Sequence, residues 1–133
     1  MKKIITFLFS IVLFTSCSSD DDDKQNPVVG KWKMVKIETL VHITNTKSSE
    51  DVSNQNITYT FDRRSNLTIN KNGQIESYKY QYKIDYLGGG MPGEPKTSFV
   101  IVNDAKWTYQ IVDGKMVLGS SYVDGSDYFF EKQ

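Results

Sequence analysis

The sequence predicts an all-β protein whose strands close into an eight-stranded antiparallel up-and-down barrel, and three observations lead there. From Gly30 onward, runs rich in Val, Ile, Thr, Tyr and Phe alternate with breaks carrying Asn, Asp and Gly, and no helical periodicity outlasts a turn or two. Several breaks are so tight that successive strands must be neighbours. Asn72-Gly73 and Asp113-Gly114 read as two-residue hairpin turns, whose central positions both need positive φ, and Asp124-Gly125-Ser126 is another short turn. Strands joined in sequence order leave two bare edges unless the first pairs with the last, and closure removes both. A two-sheet β-sandwich is the alternative.

The strands follow in order. The first, about Gly30 to Thr44, begins after Pro27 and has an awkward pattern: Trp32 and Met34 share a face with Lys36 and Glu38, while Val35 and Ile37 share the other. A bulge near Met34 would bring the apolar residues to one side. The second strand, about Asn56 to Asp62, offers Ile57, Tyr59 and Phe61 to the interior. The third, about Asn66 to Asn70, offers Leu67 and Ile69. The fourth, Gln74 to Leu87, separates Tyr78, Tyr80, Tyr82, Ile84 and Tyr86 from Ser77, Lys79, Gln81, Lys83 and Asp85, as a half-buried strand should. Thr97 to Val102 is the fifth. The sixth, Lys106 to Val112, gives Trp107, Tyr109 and Ile111. The seventh, Lys115 to Ser121, gives Met116 and Leu118, and the eighth, Asp127 to Lys132, gives Tyr128 and Phe130. Two breaks are long, at 45–55 and 88–96.

Ahead of the strands lies an address. Lys2 and Lys3 form a positive start, Ile4 to Phe14 is apolar apart from Thr6 and Ser10, and Thr15-Ser16 is a small-residue cleavage site. That is the layout of a secretory signal peptide, and the apolar run is too short to span a bilayer, which takes about 20 residues. Cys17, the only cysteine, follows at once, so Phe14-Thr15-Ser16-Cys17 resembles a lipobox with Cys17 as the acylated residue. Asp20 to Asp23 then repel one another and stay extended as a spacer. The serines and acidic run after Cys17 resemble the export signal of Bacteroidota-type surface lipoproteins. The expected organisation is a signal peptide over 1–16, a lipidated cysteine and acidic tether over 17–26, and a barrel domain over 27–133. The resemblance implies a protein held to the outer membrane by its N-terminal lipid and exposed at the cell surface. Beyond Cys17 no cysteine remains, so the domain must hold by packing alone.

Gly30-Lys31-Trp32 at the opening of the first strand, ahead of an antiparallel meander, resembles the lipocalin pattern, and more closely the short lipocalin-like domains of Bacteroidota lipoproteins. The likeness covers about Val28 to Lys132. It implies that Trp32 plugs the closed end of the barrel, under Lys132, under Arg64 or under neither. It also implies which loops lie where. The loops at 45–55, 71–73, 103–106 and 122–126 belong to the open end, with 45–55 over the mouth. Those at 63–65, 88–96 and 113–114 belong to the closed end with the tether. The helix that follows the barrel in full-length lipocalins is missing here.

The tyrosine stripe allows two functions. Its rings can simply fill a small barrel, or they can line a cavity with apolar walls and polar tips, suited to a small amphipathic ligand. On the second reading the binding residues are Tyr59, Tyr78, Tyr80, Tyr82, Trp107, Tyr109 and Tyr128, with Tyr59, Tyr78, Trp107 and Tyr128 nearest the mouth. Catalysis finds little support. His42 is the only histidine, no G-x-S-x-G accompanies it, and no H-E-x-x-H or cysteine cluster suits zinc. Asp104, Asp113, Asp124 and Asp127 stand in or beside turns, where Asp bonds its own backbone. With 16 basic and 16 acidic side chains and no basic cluster larger than Arg63-Arg64, nucleic acid is not an expected partner. The expectation is a monomeric, non-enzymatic protein with no cofactor and no metal. It binds a small hydrophobic ligand or, with a filled barrel, recognises a protein or glycan through its loops.

Overall fold

The computed structural model describes residues 26–133; the signal peptide, Cys17 and the tether as far as residue 25 lie outside the described residues. Among the described residues there are nine strands: β1 (Gly30–Val41), β2 (Thr46–Asp51), β3 (Ile57–Phe61), β4 (Asn66–Lys71), β5 (Gln74–Tyr86), β6 (Lys96–Val102), β7 (Ala105–Val112), β8 (Lys115–Gly119) and β9 (Ser126–Lys132). From β3 to β9 each strand pairs antiparallel with the next, β1 pairs with β3, and β9 returns to β1 from Trp32↔Lys132 to Thr39↔Ser126. That last ladder closes an eight-stranded up-and-down barrel of lipocalin-like architecture and excludes the sandwich. β2 is the ninth strand and stands outside the closed ring.

β2 corrects the expected 45–55 loop. β1 ends at Val41 rather than Thr44, turns over Asn45 at φ +50°, and β2 runs back along its edge from Val41↔Thr46 to Lys36↔Asp51. β1 therefore changes partner partway along, from β3 at residues 30–33 to β2 at residues 36–41. The change coincides with a bulge, because on the β9 side the register jumps from Met34↔Phe130 to Lys36↔Phe129 and leaves Val35 unpaired there. The bulge puts Trp32, Met34 and Ile37 on the core side and turns Lys36 and Glu38 outward, which is the solution the residue pattern demanded. The Val35 carbonyl accepts the N–H of Val52 at 3.0 Å, and the Val52 side chain drops into the core beside a short 3-10 turn at Ser53–Gln55. β2 keeps one edge unpaired among the described residues. All six of its residues are exposed, and Lys47, Glu50 and Asp51 make that edge a poor template for aggregation.

The turns are built as their residues dictate. Asn72 and Gly73 have φ of +51° and +89°, and Asp113 and Gly114 have +50° and +74°, the two positive values a tight hairpin requires. The triple-glycine loop between β5 and β6 is a connector wrapped around a carboxylate. Glu94 accepts the N–H groups of Gly88, Gly90 (2.9 Å) and Met91 (3.1 Å), so these amides are already engaged. Those bonds, led by the one from Gly88, hold the Glu94 carboxyl below its usual range.

The strands are strongly staggered. The first half of β5 pairs with β4 as far as Lys79, and the second half pairs with β6 from Tyr80 on. The core is continuous through the ring: Trp32, Met34, Phe61, Leu67, Tyr80, Val100, Met116, Leu118 and Phe130 are buried together. The outward residues of β5, Ser77, Lys79, Gln81 and Lys83, are polar and exposed.

Candidate ligand cavity at the open end

The two ends of the barrel follow from strand direction. β1 runs away from the end where Asn26 to Val29 approach, so the turns at 42–45, 72–73 and 103–104 and the 120–125 loop lie at the far, open end. The turns at 62–65 and 113–114 and the 87–95 loop lie at the near, closed end.

The closed end is plugged. Trp32 is buried and its indole N–H donates to the Val28 carbonyl at 2.7 Å. Lys132, not Arg64, lies over it, with Nζ 5.3 Å from the ring centre. Gly30 makes the arrangement possible. Its φ is +138°, and a Cβ there would come within 3.3 Å of Lys132 Cε and 3.7 Å of the Trp32 indole nitrogen. Tyr80 completes the floor. Its hydroxyl donates to the Asp62 carbonyl at 2.8 Å and accepts from Asn26 Nδ2 at 2.9 Å. Burial pushes the Tyr80 phenol pKa up, partly offset by the Asn26 bond. Next to it Tyr82 donates to Ser98 at 3.0 Å and packs edge-on to Tyr109 at 5.6 Å.

Above this floor lies a cavity of about 280 Å³. Met34, Leu118 and Phe130 form its base, and Ile37, Ile57, Tyr59, Trp107 and Tyr128 its walls. Lys71, at the end of β4, stands at its rim. Tyr59 packs against Phe130 with ring centres 4.9 Å apart and planes inclined at 56°. Its pKa is pushed up to about 12, first by burial and then by the neighbouring Tyr128, Glu76 and Tyr78. No hydrogen-bond partner for the hydroxyls of Tyr59 and Tyr128 or for the indole N–H of Trp107 occurs among the described residues.

Of the six tyrosines and one tryptophan singled out as ligand-binding, Tyr59, Trp107 and Tyr128 line the cavity. Tyr78 lies at the mouth but outside the lining, where its hydroxyl donates to Glu76 at 3.0 Å. Tyr80, Tyr82 and Tyr109 are outside the lining too. Met34, Ile37, Ile57 and Lys71 are lining residues that the stripe did not name, although the alternation of β3 and β4 already turns Ile57 and Lys71 inward.

A larger depression, about 690 Å³, crosses the outer face of β7, β8, β9, β1 and β2. Its charges answer one another: Lys36 bonds Glu38 at 2.8 Å, Lys47 lies 3.7 Å from Glu38, and Lys115 lies 3.5 Å from Glu131. Lys36 also sits 3.8 Å over the Phe129 ring. This self-paired surface suits solvent better than a ligand, so the smaller, apolar cavity is the stronger candidate. Among the described residues no group of His, Cys, Asp and Glu is placed to hold a metal ion. No protein-family model, curated protein or solved structure matches this chain.

Proposed function

We propose that this protein is a surface-displayed lipoprotein whose lipocalin-like barrel binds a small apolar or amphipathic molecule in the open-end cavity. The observation that carries the reading is the pairing of apolar walls with three unengaged polar tips, those of Tyr59, Tyr128 and Trp107. These tips remain open to solvent, so a ligand can take the place of water on them. Binding works by burial, with no chemistry asked of the site. The sequence supports the address: a signal-peptide pattern, Cys17 in a lipobox-like setting and an acidic tether. The chain approaches the barrel at its closed end, so an anchor at Cys17 would leave the mouth facing away from the membrane.

The rim favours a second reading. Ile43 (98%), Ile75 (66%) and Val123 (62%) are exposed apolar residues around the open end, and His42 lies 3.2 Å from Asp124 on the neighbouring loop. Such a rim suits contact with a protein or glycan, with the barrel as scaffold.

Native mass spectrometry of the chain from Asn26 to Gln133 separates the two. Extra mass that vanishes on denaturation supports a ligand carried in the barrel. No extra mass, together with no uptake of an apolar fluorescent probe, moves function to the rim. The address is checked apart from this, by labelled palmitate and by protease treatment of intact cells; a protein that stays unlabelled and protected is not a surface lipoprotein.

A further inference from the structure

The polar groups of the cavity are of one kind, and this defines the ligand more narrowly. The Trp107 indole N–H can only donate a hydrogen bond, and so can the Lys71 ammonium. The Tyr59 and Tyr128 hydroxyls also carry protons to give. The nearest acceptor, the Glu76 carboxylate, already takes the Tyr78 hydroxyl at 3.0 Å and faces Lys71 at 3.9 Å. The two opposite charges at the rim therefore offset each other; every polar group lining the cavity can donate, Trp107 and Lys71 can do nothing else, and the two phenol oxygens can also accept.

Size adds a second limit. A cavity of about 150 Å³ suffices for benzene. The 280 Å³ here suits one or two fused rings and is too small for a long acyl chain.

We propose that the cavity takes a ring-sized ligand whose polar end is a hydrogen-bond acceptor of the carbonyl type, met by Trp107, Tyr59 and Tyr128. A protonated amine in that place would leave the Trp107 N–H unanswered and set a second positive charge near Lys71. Burial keeps the Tyr59 phenol protonated and so preserves it as a donor. This proposal rests on the cavity being a binding site.

Three probes of one ring system test it: 2-acetylnaphthalene with an acceptor, 2-ethylnaphthalene with no polar group, and 2-naphthylmethylamine with a charged donor. Their binding to the chain from Asn26 to Gln133, which contains the whole closed barrel, is measured by calorimetry or equilibrium dialysis. The ketone is expected to bind at least about fivefold more tightly than the amine, the effect of one net hydrogen bond. Tyr59→Phe and Tyr128→Phe each remove a single oxygen, and each is expected to weaken the ketone about fivefold. The ethyl compound should change less than about twofold and so reports that the variant cavity is intact. If the ketone and the ethyl compound bind and neither responds to the two variants, the acceptor proposal is overturned while apolar binding stands. If no probe binds, both fall.

Discussion

The closed and open halves of this barrel use the same residue types in opposite ways. At the closed end three aromatic polar tips are engaged by the fold: Trp32 to the Val28 carbonyl, Tyr80 to Asp62 and Asn26, Tyr82 to Ser98, while the hydroxyl of Tyr109 beside Tyr82 has no such partner among the described residues. At the open end Tyr59, Tyr128 and Trp107 surround a cavity with their tips unengaged. An aromatic lining by itself therefore does not distinguish core from site. The distinction lies in whether the hydroxyl or indole N–H has found a partner and, where it has not, whether its ring lines a space that a ligand can enter.

Several substitutions probe this contrast. The largest effect is expected from Trp32→Ala, which should cost about 3–5 kcal/mol in urea unfolding by opening a cavity under Lys132. Trp107→Ala should cost clearly less stability but weaken an apolar probe about tenfold or more. Equal stability losses at the two tryptophans would erase the contrast between the halves. Tyr80→Phe comes next, at about 1–2 kcal/mol, because it leaves the Asp62 carbonyl and the Asn26 amide without their partner. Tyr59→Phe should be neutral or slightly stabilising in the absence of ligand, since the hydroxyl it removes has no partner to lose; a loss as large as that of Tyr80→Phe would show an engaged hydroxyl.

The smallest effects appear with pH. The Tyr59 pKa is raised to about 12 from an ordinary value of 10.0, so the folded state holds its proton more tightly than the unfolded chain. Its contribution is complete below pH 10 and is lost as pH rises towards 12. Absorbance titration should show one tyrosine ionising late, and Tyr59→Phe should remove that step. At the other extreme, Asp62 is held below 3.8 by the Asn66 side chain first, then by the N–H groups of Asn66 and Arg64. Its contribution is present above pH 3.8 and is lost as pH falls through the lowered value, and Asp62→Asn should flatten the acid limb of stability slightly.

Much of the architecture was legible in the residues. Period-two alternation selected the inward faces of β3, β4, β5, β8 and β9, and Asn-Gly and Asp-Gly placed two hairpins. Even the bulge in β1 followed from Trp32, Met34 and Ile37, because no regular strand turns all three the same way. β2 was hidden because Thr46 to Asp51 is polar on both faces and buries nothing; only its ladder with β1 makes it a strand. Val52 was hidden for the reverse reason, a lone apolar residue in a polar stretch whose burial depends on the Val35 carbonyl.

The sequence by itself determined the strands, their order and which side chains face inward, since these rest on local geometry and on removing apolar area from water. The choice of barrel over sandwich, the outer strand β2, and the division of tyrosines into engaged and unengaged were decided only in three dimensions. Alternation fixes the face a residue occupies. Its height along the barrel, and hence its hydrogen-bond partner, depends on the summed register of every strand in the ring.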